Sequence, residues 1–110
     1  MSYHLSQVLT GHGCFQDYIH RIGKAPSATC VFCDTGESDD VVHTLERCPY
    51  FEEQRAELER KLERPFVVEN MVTNMLEAEN IWQTISTYVE EVMRRKEDAA
   101  RARARRGSPP

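Results

Sequence analysis

Between residues 30 and 48 the sequence places Cys30, Cys33, His43 and Cys48, spaced C-x2-C-x9-H-x4-C. Two cysteines separated by two residues can turn both sulfurs to one side of a tight loop, with backbone N–H groups pointing at the thiolates. A zinc ion takes four such ligands in a tetrahedron, with sulfur about 2.3 Å away and imidazole nitrogen about 2.0–2.1 Å away. If protein fills all four positions, none is left for water, so the quartet reads as a structural Zn2+ site rather than a catalytic one. Three thiolates and a neutral imidazole also leave the ion with one net negative charge, which suits holding better than Lewis-acid chemistry. The competing readings are buried core cysteines with a satisfied histidine, a disulfide pair, or a Cys/His nucleophile. For the last, nothing supplies an orienting third group or an oxyanion donor, and no catalytic residue is assigned.

The elements that must position these ligands follow from periodicity. His43 and Cys48 are five apart, and on an uninterrupted helix that turns the chain about 140° away from one face. They converge only if the helix ends before Cys48. Pro49 disfavours helical geometry at Cys48 and suits the first position of a new helix. Asp39 or Asp40 is placed to cap the short helix "VVHTLERC", and Gly36 offers a positive-φ turn in the loop before it.

Upstream, Leu5, Val8 and Leu9 share a helical face, "TGHG" breaks it, and Cys14, Phe15, Tyr18, Ile19 and Ile22 form a second stripe that stops at Gly23. Downstream, Phe51, Arg55, Leu58 and Leu62 mark a helix before Pro65, and Val67, Val68, Met71, Val72, Met75 and Leu76 mark a shorter one. Ile81, Trp82, Ile85, Tyr88, Val89, Val92 and Met93 form an amphipathic stripe. Its polar continuation "RRKEDAARARARR" is rich in good helix formers and is expected to extend into solvent.

The fold class is therefore all-α: a small helical domain organised around a CCHC zinc knuckle, with a long C-terminal helix. Within one domain, residues 1–29 read as a helical hairpin, 30–48 as the knuckle, 49–106 as C-terminal helices with a basic tail, and 107–110 as a disordered end. Cys14 is expected to be a small buried hydrophobe and His12 a capping or packing residue. His4 and His20 are placed at the surface or its boundary, and Trp82 anchors the core.

At 110 residues, 40% hydrophobic and 29% charged, the chain is near the size at which a core alone stabilises a fold poorly, so a metal staple would help. It has no run of eighteen apolar residues and no basic start followed by an apolar block. A reducing intracellular compartment is expected, with neither a membrane nor a small-molecule substrate as partner.

Between Arg94 and Arg106 seven basic and two acidic residues give +5, and since the whole chain carries −4 the remainder carries −9. The segment between the ligands, "DTGESDDVV", holds Asp34, Glu37, Asp39 and Asp40 and no basic residue, and repels phosphate. The staple reading comes first, and contact with RNA or DNA second. The candidate contacts are Arg21, Lys24 and Arg47 near the knuckle and Arg101, Arg103, Arg105 and Arg106 in the tail. The other reading of the tail is a solvated helix end with cations near its C-terminal dipole.

The segments "LTGHGCFQDYIHRIG", "CVFC" and "VVHTLERCPYF", followed by "VVENMVTNMLEAENIWQTISTYVEEVMRRKEDAARAR", together resemble the C-terminal part of reverse transcriptases of arthropod non-LTR (LINE-type) retrotransposons, in particular the type-1 class that inserts in ribosomal DNA. The resemblance runs over roughly residues 3–106. It implies that Cys30, Cys33, His43 and Cys48 match that family's CCHC zinc knuckle. It also implies a parent polypeptide with endonuclease and polymerase domains, a nuclear setting, and a knuckle that assists nucleic-acid handling in target-primed reverse transcription. Partners would be RNA or DNA, and the polymerase body or another protein. No Tyr-x-Asp-Asp-type carboxylate motif occurs in this chain. The alternative is a stand-alone zinc-stapled helical module that binds a protein.

Overall fold

A computed structural model describes residues 3–107, with side chains described for 4–102. The expected end at 107–110 therefore lies outside the described residues apart from Gly107, which is helical. The side chains of Arg103, Arg105 and Arg106 also lie outside them. The chain runs through α1 (Tyr3–Thr10), α2 (Gln16–Arg21), a π-helical turn (His43–Arg47), a 3-10 turn (Pro49–Phe51), α3 (Glu52–Leu62), a second 3-10 turn (Val68–Asn70), α4 (Met71–Met75) and α5 (Glu79–Gly107). Among the described residues there is no strand beyond one isolated antiparallel bridge between Thr29 and Ser38. The fold is all-α.

α5 is the spine. Its inner face carries Ile85, Tyr88, Val89, Val92 and Met93, all buried, at the three- and four-residue spacing that keeps one face of a helix turned inward. α1, α3 and α4 all pack against it, contributing Leu5 and Val8, Leu58, and Met71 and Met75 to a core that also takes in Phe15, Leu45, Phe51 and Phe66. Burying a side chain of this size stabilises by about 1.5–3 kcal/mol, so the shared face of α5 ties the helical elements to one another. Trp82 packs against the edge of this core, half-buried.

Several expectations need correction. Lys96 does not belong to a solvated tail. It is fully buried, because it falls three residues after Met93 and four after Val92, on the same inward face. The second helix is shorter than its apolar stripe and buries none of its own residues. Phe15 is buried just ahead of it, while Ile22 is 48% exposed just after it. Leu9, Val67, Val72 and Leu76 are likewise exposed, so of those two stripes Leu5, Val8, Met71 and Met75 are buried in the core and Val68 packs against its edge. His4 is half-buried between two carboxylates of α5: Nδ1 lies 2.6 Å from Glu90 and Nε2 2.8 Å from Glu97. Cys14 is half-buried, with Sγ 3.7 Å from the Lys96 carbonyl oxygen. His12 stacks on Tyr18, as a packing residue would.

Candidate metal centre

The ligand segment opens as a small loop. The Cys30 N–H donates to the Glu37 carbonyl at 2.9 Å, and the Asp39 N–H donates to the Ala28 carbonyl at 2.8 Å. These bonds fold the chain back on itself around the Thr29–Ser38 bridge. Gly36 makes the reversal at φ +77°, where a side chain would be strained. The Asp40 carboxylate then accepts the His43 N–H at 2.8 Å and caps the following turn.

That turn does something the spacing alone did not foretell. From His43 the helix widens, and the Cys48 N–H donates to the His43 carbonyl, five residues back, at 2.7 Å. A π-type i→i+5 turn brings His43 and Cys48 towards the same side before the chain leaves the helix. Cys48 is extended at φ −61°, ψ 120°, as a residue before proline prefers to be.

Two further residues lock the turn. Arg55 on α3 donates to the carbonyls of Leu45 at 3.0 Å and Cys48 at 2.8 Å, and the Tyr88 hydroxyl on α5 donates to the Leu45 carbonyl at 2.9 Å. Burial pushes the Tyr88 hydroxyl up to about 12, which keeps it a donor.

The result is a close cluster. One ligand atom from each of Cys30, Cys33, His43 and Cys48 lies within 4.8 Å of the others. A tetrahedral zinc with the bond lengths given above requires sulfur–sulfur edges of about 3.8 Å and sulfur–nitrogen edges of about 3.6 Å. The Cys30–Cys48 sulfurs are 3.9 Å apart, and Cys33 Sγ is 3.4 Å from His43 Nε2. The four residues fit a zinc knuckle, and a metal ion held by all four would have no open position.

The surroundings suit thiolates. Each sulfur meets a backbone N–H two residues further on: Phe32 at Cys30 (3.4 Å), Thr35 at Cys33 and Tyr50 at Cys48. The Thr35 hydroxyl adds a contact of 3.2 Å to Cys33. His43 turns Nε2 inward, and its Nδ1 faces the Glu37 carboxylate at 3.4 Å. That contact is long and lacks hydrogen-bond alignment, but its pairing of imidazole with carboxylate is the arrangement that orients a metal-binding histidine.

Burial pushes the Cys48 thiol up to about 12 and raises Cys30 as well. At Cys33 burial acts in the same direction, but the Thr35 hydroxyl and N–H, with Cys30 and His43, outweigh it and lower the thiol to about 7. Three thiols packed this closely cannot all ionise at neutral pH without a cation among them. Metal entry must therefore displace protons from Cys30 and Cys48.

The expected phosphate contacts sit on separate elements. Arg21 closes α2 and pairs with Asp17 at 3.5 Å, exposed Lys24 follows it, and Arg47 closes the π turn and pairs with Glu37 at 3.3 Å. Arg101 stands on the exposed part of α5 and pairs with Asp98 at 3.1 Å. Periodicity listed Arg55 among apolar positions of its helix but assigned it no role, and it gave Tyr88 only a place on the apolar stripe. A cation on the apolar stripe between Phe51 and Leu58 is the signal that could have pointed to it.

Comparison with known proteins gives an informative match. Over 53 residues, or 48% of this chain, the sequence is 47% identical to a retrovirus-related Pol polyprotein from the type-1 retrotransposable element R1 4 of Nasonia vitripennis. This chain is similar to a segment of a non-LTR retrotransposon polyprotein. The matched residues span 13% of that polyprotein, so most of the relative has no counterpart in the match. No protein-family model and no solved structure matches the chain. The retroelement-derived character and the Cys3His cluster are thus supported by separate observations, one in sequence and one in geometry. No helix among the described residues is long and apolar enough to cross a membrane.

Proposed function

We propose that this chain is a zinc-stapled, non-catalytic C-terminal segment of a non-LTR retrotransposon reverse transcriptase. In this reading it helps the polymerase body handle target DNA or template RNA during target-primed reverse transcription, in the nucleus, and the parent polypeptide supplies RNA-directed DNA polymerase and endonuclease activity. The observation that carries it is the quartet Cys30, Cys33, His43 and Cys48, closed at tetrahedral spacing, in a chain with a retrotransposon Pol relative. The bound ion is Zn2+ and its role is structural, because protein ligands fill every position.

Phosphate contact falls to the basic arm of α5, at Arg101, Arg103, Arg105 and Arg106, with Arg21, Lys24 and Arg47 as secondary contacts. The test is binding of RNA and DNA oligonucleotides across a salt series. Each neutralised phosphate contributes about 0.9 to the log–log salt slope for duplex DNA and about 0.7 for single strands. Replacing the four arm arginines by glutamine should lower the duplex slope by about 3–4. No affinity for either nucleic acid at low salt would refute the reading.

A second reading, a protein-interaction module, is favoured by the exposure of Val72 and Leu76 beside a shallow groove of 330 Å³ lined by Met75, Leu76, Ala78, Glu79 and Trp82. It predicts salt-insensitive binding to the polymerase body or another protein, lost when Leu76 becomes Asp.

A further inference from the structure

The most deeply buried ion pair lies outside the ligand quartet. Lys96 Nζ on α5 reaches both carboxylate oxygens of Asp39 at 2.8 Å, and the two side chains are 1% and 2% exposed. Asp39 stands between Cys33 and His43 in the chain. Asp39 also bonds the π turn, the start of α2 and the chain ahead of Cys30. Oδ1 accepts the Thr44 hydroxyl at 2.8 Å, next to His43, and Oδ2 accepts the Gln16 N–H at 3.0 Å, at the start of α2. Its carbonyl accepts the Asp17 N–H at 3.1 Å, and its own N–H donates to Ala28, ahead of Cys30. The Lys96 ammonium also sits 4.8 Å from the ring centroid of Phe32, between Cys30 and Cys33, and 5.5 Å from that of Phe15. Lys96 therefore holds the ligand segment at two points.

We propose that Lys96 is a positioning residue of the metal centre, acting through Asp39, so that the ligand segment and the turn of α5 at 93–97 order as one unit. The physical reason is the penalty on a buried charge that loses its partner. If the ligand segment loosens, Asp39 leaves Lys96 unpaired, and that turn of α5 must leave the core to hydrate the ammonium. By linkage the effect is reciprocal: releasing Lys96 must weaken the hold of the segment on its ion. The proposal rests on the reading that the quartet binds zinc.

The test is zinc affinity of the full chain, measured by competition with a chromophoric chelator, alongside amide hydrogen exchange. Any destabilising change could lower affinity if folding and binding are linked, so the control is Met75→Ala, which opens the core at α4 away from the ligand segment. At matched melting loss, Lys96→Met should bind zinc at least tenfold more weakly than Met75→Ala. Its amide exchange should rise at 39–44 as well as at 93–97. Equal affinity in the two variants, or faster exchange confined to α5, would overturn the proposal. If Lys96→Met does not fold, the double variant Asp39→Asn with Lys96→Met removes both charges and carries the same comparison, and an affinity equal to wild type would overturn it. A wild-type chain that binds no zinc refutes the metal reading itself, whereas zinc binding without the selective loss refutes this proposal alone.

Discussion

Stripping zinc from the loaded protein is expected to unfold the chain rather than merely empty a site. A structural Cys/His site contributes about 10–16 kcal/mol in apparent binding free energy at neutral pH, while a whole domain of this kind is stable by about 5–15 kcal/mol. The structure indicates where the loss would fall. The ligand segment and the turn after it supply Leu45 and Phe51, both fully buried, and releasing two side chains of that size forfeits about 3–6 kcal/mol. While α5 stays packed, loss of Asp39 leaves the Lys96 ammonium buried without its partner, which forfeits about 3–5 kcal/mol more. The total, about 6–11 kcal/mol, is comparable to everything the domain has. Elemental analysis would first establish the metal content, and far-ultraviolet circular dichroism with Trp82 fluorescence would then follow a chelator titration and a melt. Helicity should collapse as the metal leaves, and Cys33→Ser should behave like the stripped protein. Cys14→Ser, outside the quartet, should keep the metal. A metal-free sample that still melts cooperatively within a few degrees of the loaded one would refute the reasoning.

The remaining predictions concern what surrounds the ligands. Arg55→Met removes the guanidinium bonds to the Leu45 and Cys48 carbonyls; Tyr88 still serves Leu45 and the Phe51 N–H still serves Cys48 at 3.2 Å, so the loss is that of the charge-assisted bonds alone, about 1.5–3 kcal/mol in urea melts. Arg60→Met, on a side chain 76% exposed, should stay within about 0.5 kcal/mol. Tyr88→Phe should cost about 1 kcal/mol, because Arg55 continues to satisfy the shared carbonyl. His4 gives a pH dependence. Burial lowers its pKa, but the Glu90 and Glu97 carboxylates outweigh that and raise it above the usual 6.5. Its contribution is then fully present below about pH 6.5 and fades as pH rises through the raised value. The stability gap between wild type and His4→Gln, measured with metal saturating, should shrink with rising pH, and a gap that widens would contradict this.

Much of this architecture was legible because it rests on periodicity and ligand spacing, which are local. The face of α5 from Ile85 to Met93, the helix from Phe51 to Leu62, and the gathering of Cys30, Cys33, His43 and Cys48 all follow from such patterns. Pro49 correctly signalled a break beside Cys48. It did not indicate that the turn would widen into an i→i+5 form, whose carbonyls are held by side chains from other elements, Arg55 on the next helix and Tyr88, 43 residues from Leu45. Lys96 lies in a basic run that reads as solvated, and Asp39 in an acidic loop where it reads as a helix-cap candidate, so neither shows its role. Their partner was 57 residues away, and only the three-dimensional fold brings two opposite charges from separate runs into one dry contact. The stripe rule carried the missing hint, since Lys96 continues the spacing of Val92 and Met93.

The burial of Lys96 also fixes where the body ends and the arm begins. Lys96 pairs with Asp39 and Glu97 with His4, so α5 is held to the body through residue 97. From Asp98 onward its ion pair is exposed, with Asp98 and Arg101 about two thirds accessible. The ten residues from 98 to 107 extend about 15 Å at 1.5 Å per residue, a large part of why the molecule measures 50 Å along one axis and only 26 and 22 Å along the others. In the proposed reading, a polyanion bound at Arg101 and its neighbours would order the turn of helix that carries Lys96 and, through Asp39, the segment between the metal ligands. Arm and knuckle are far apart along the chain yet mechanically adjacent, so nucleic-acid contact at the arm and metal retention at the knuckle should strengthen one another.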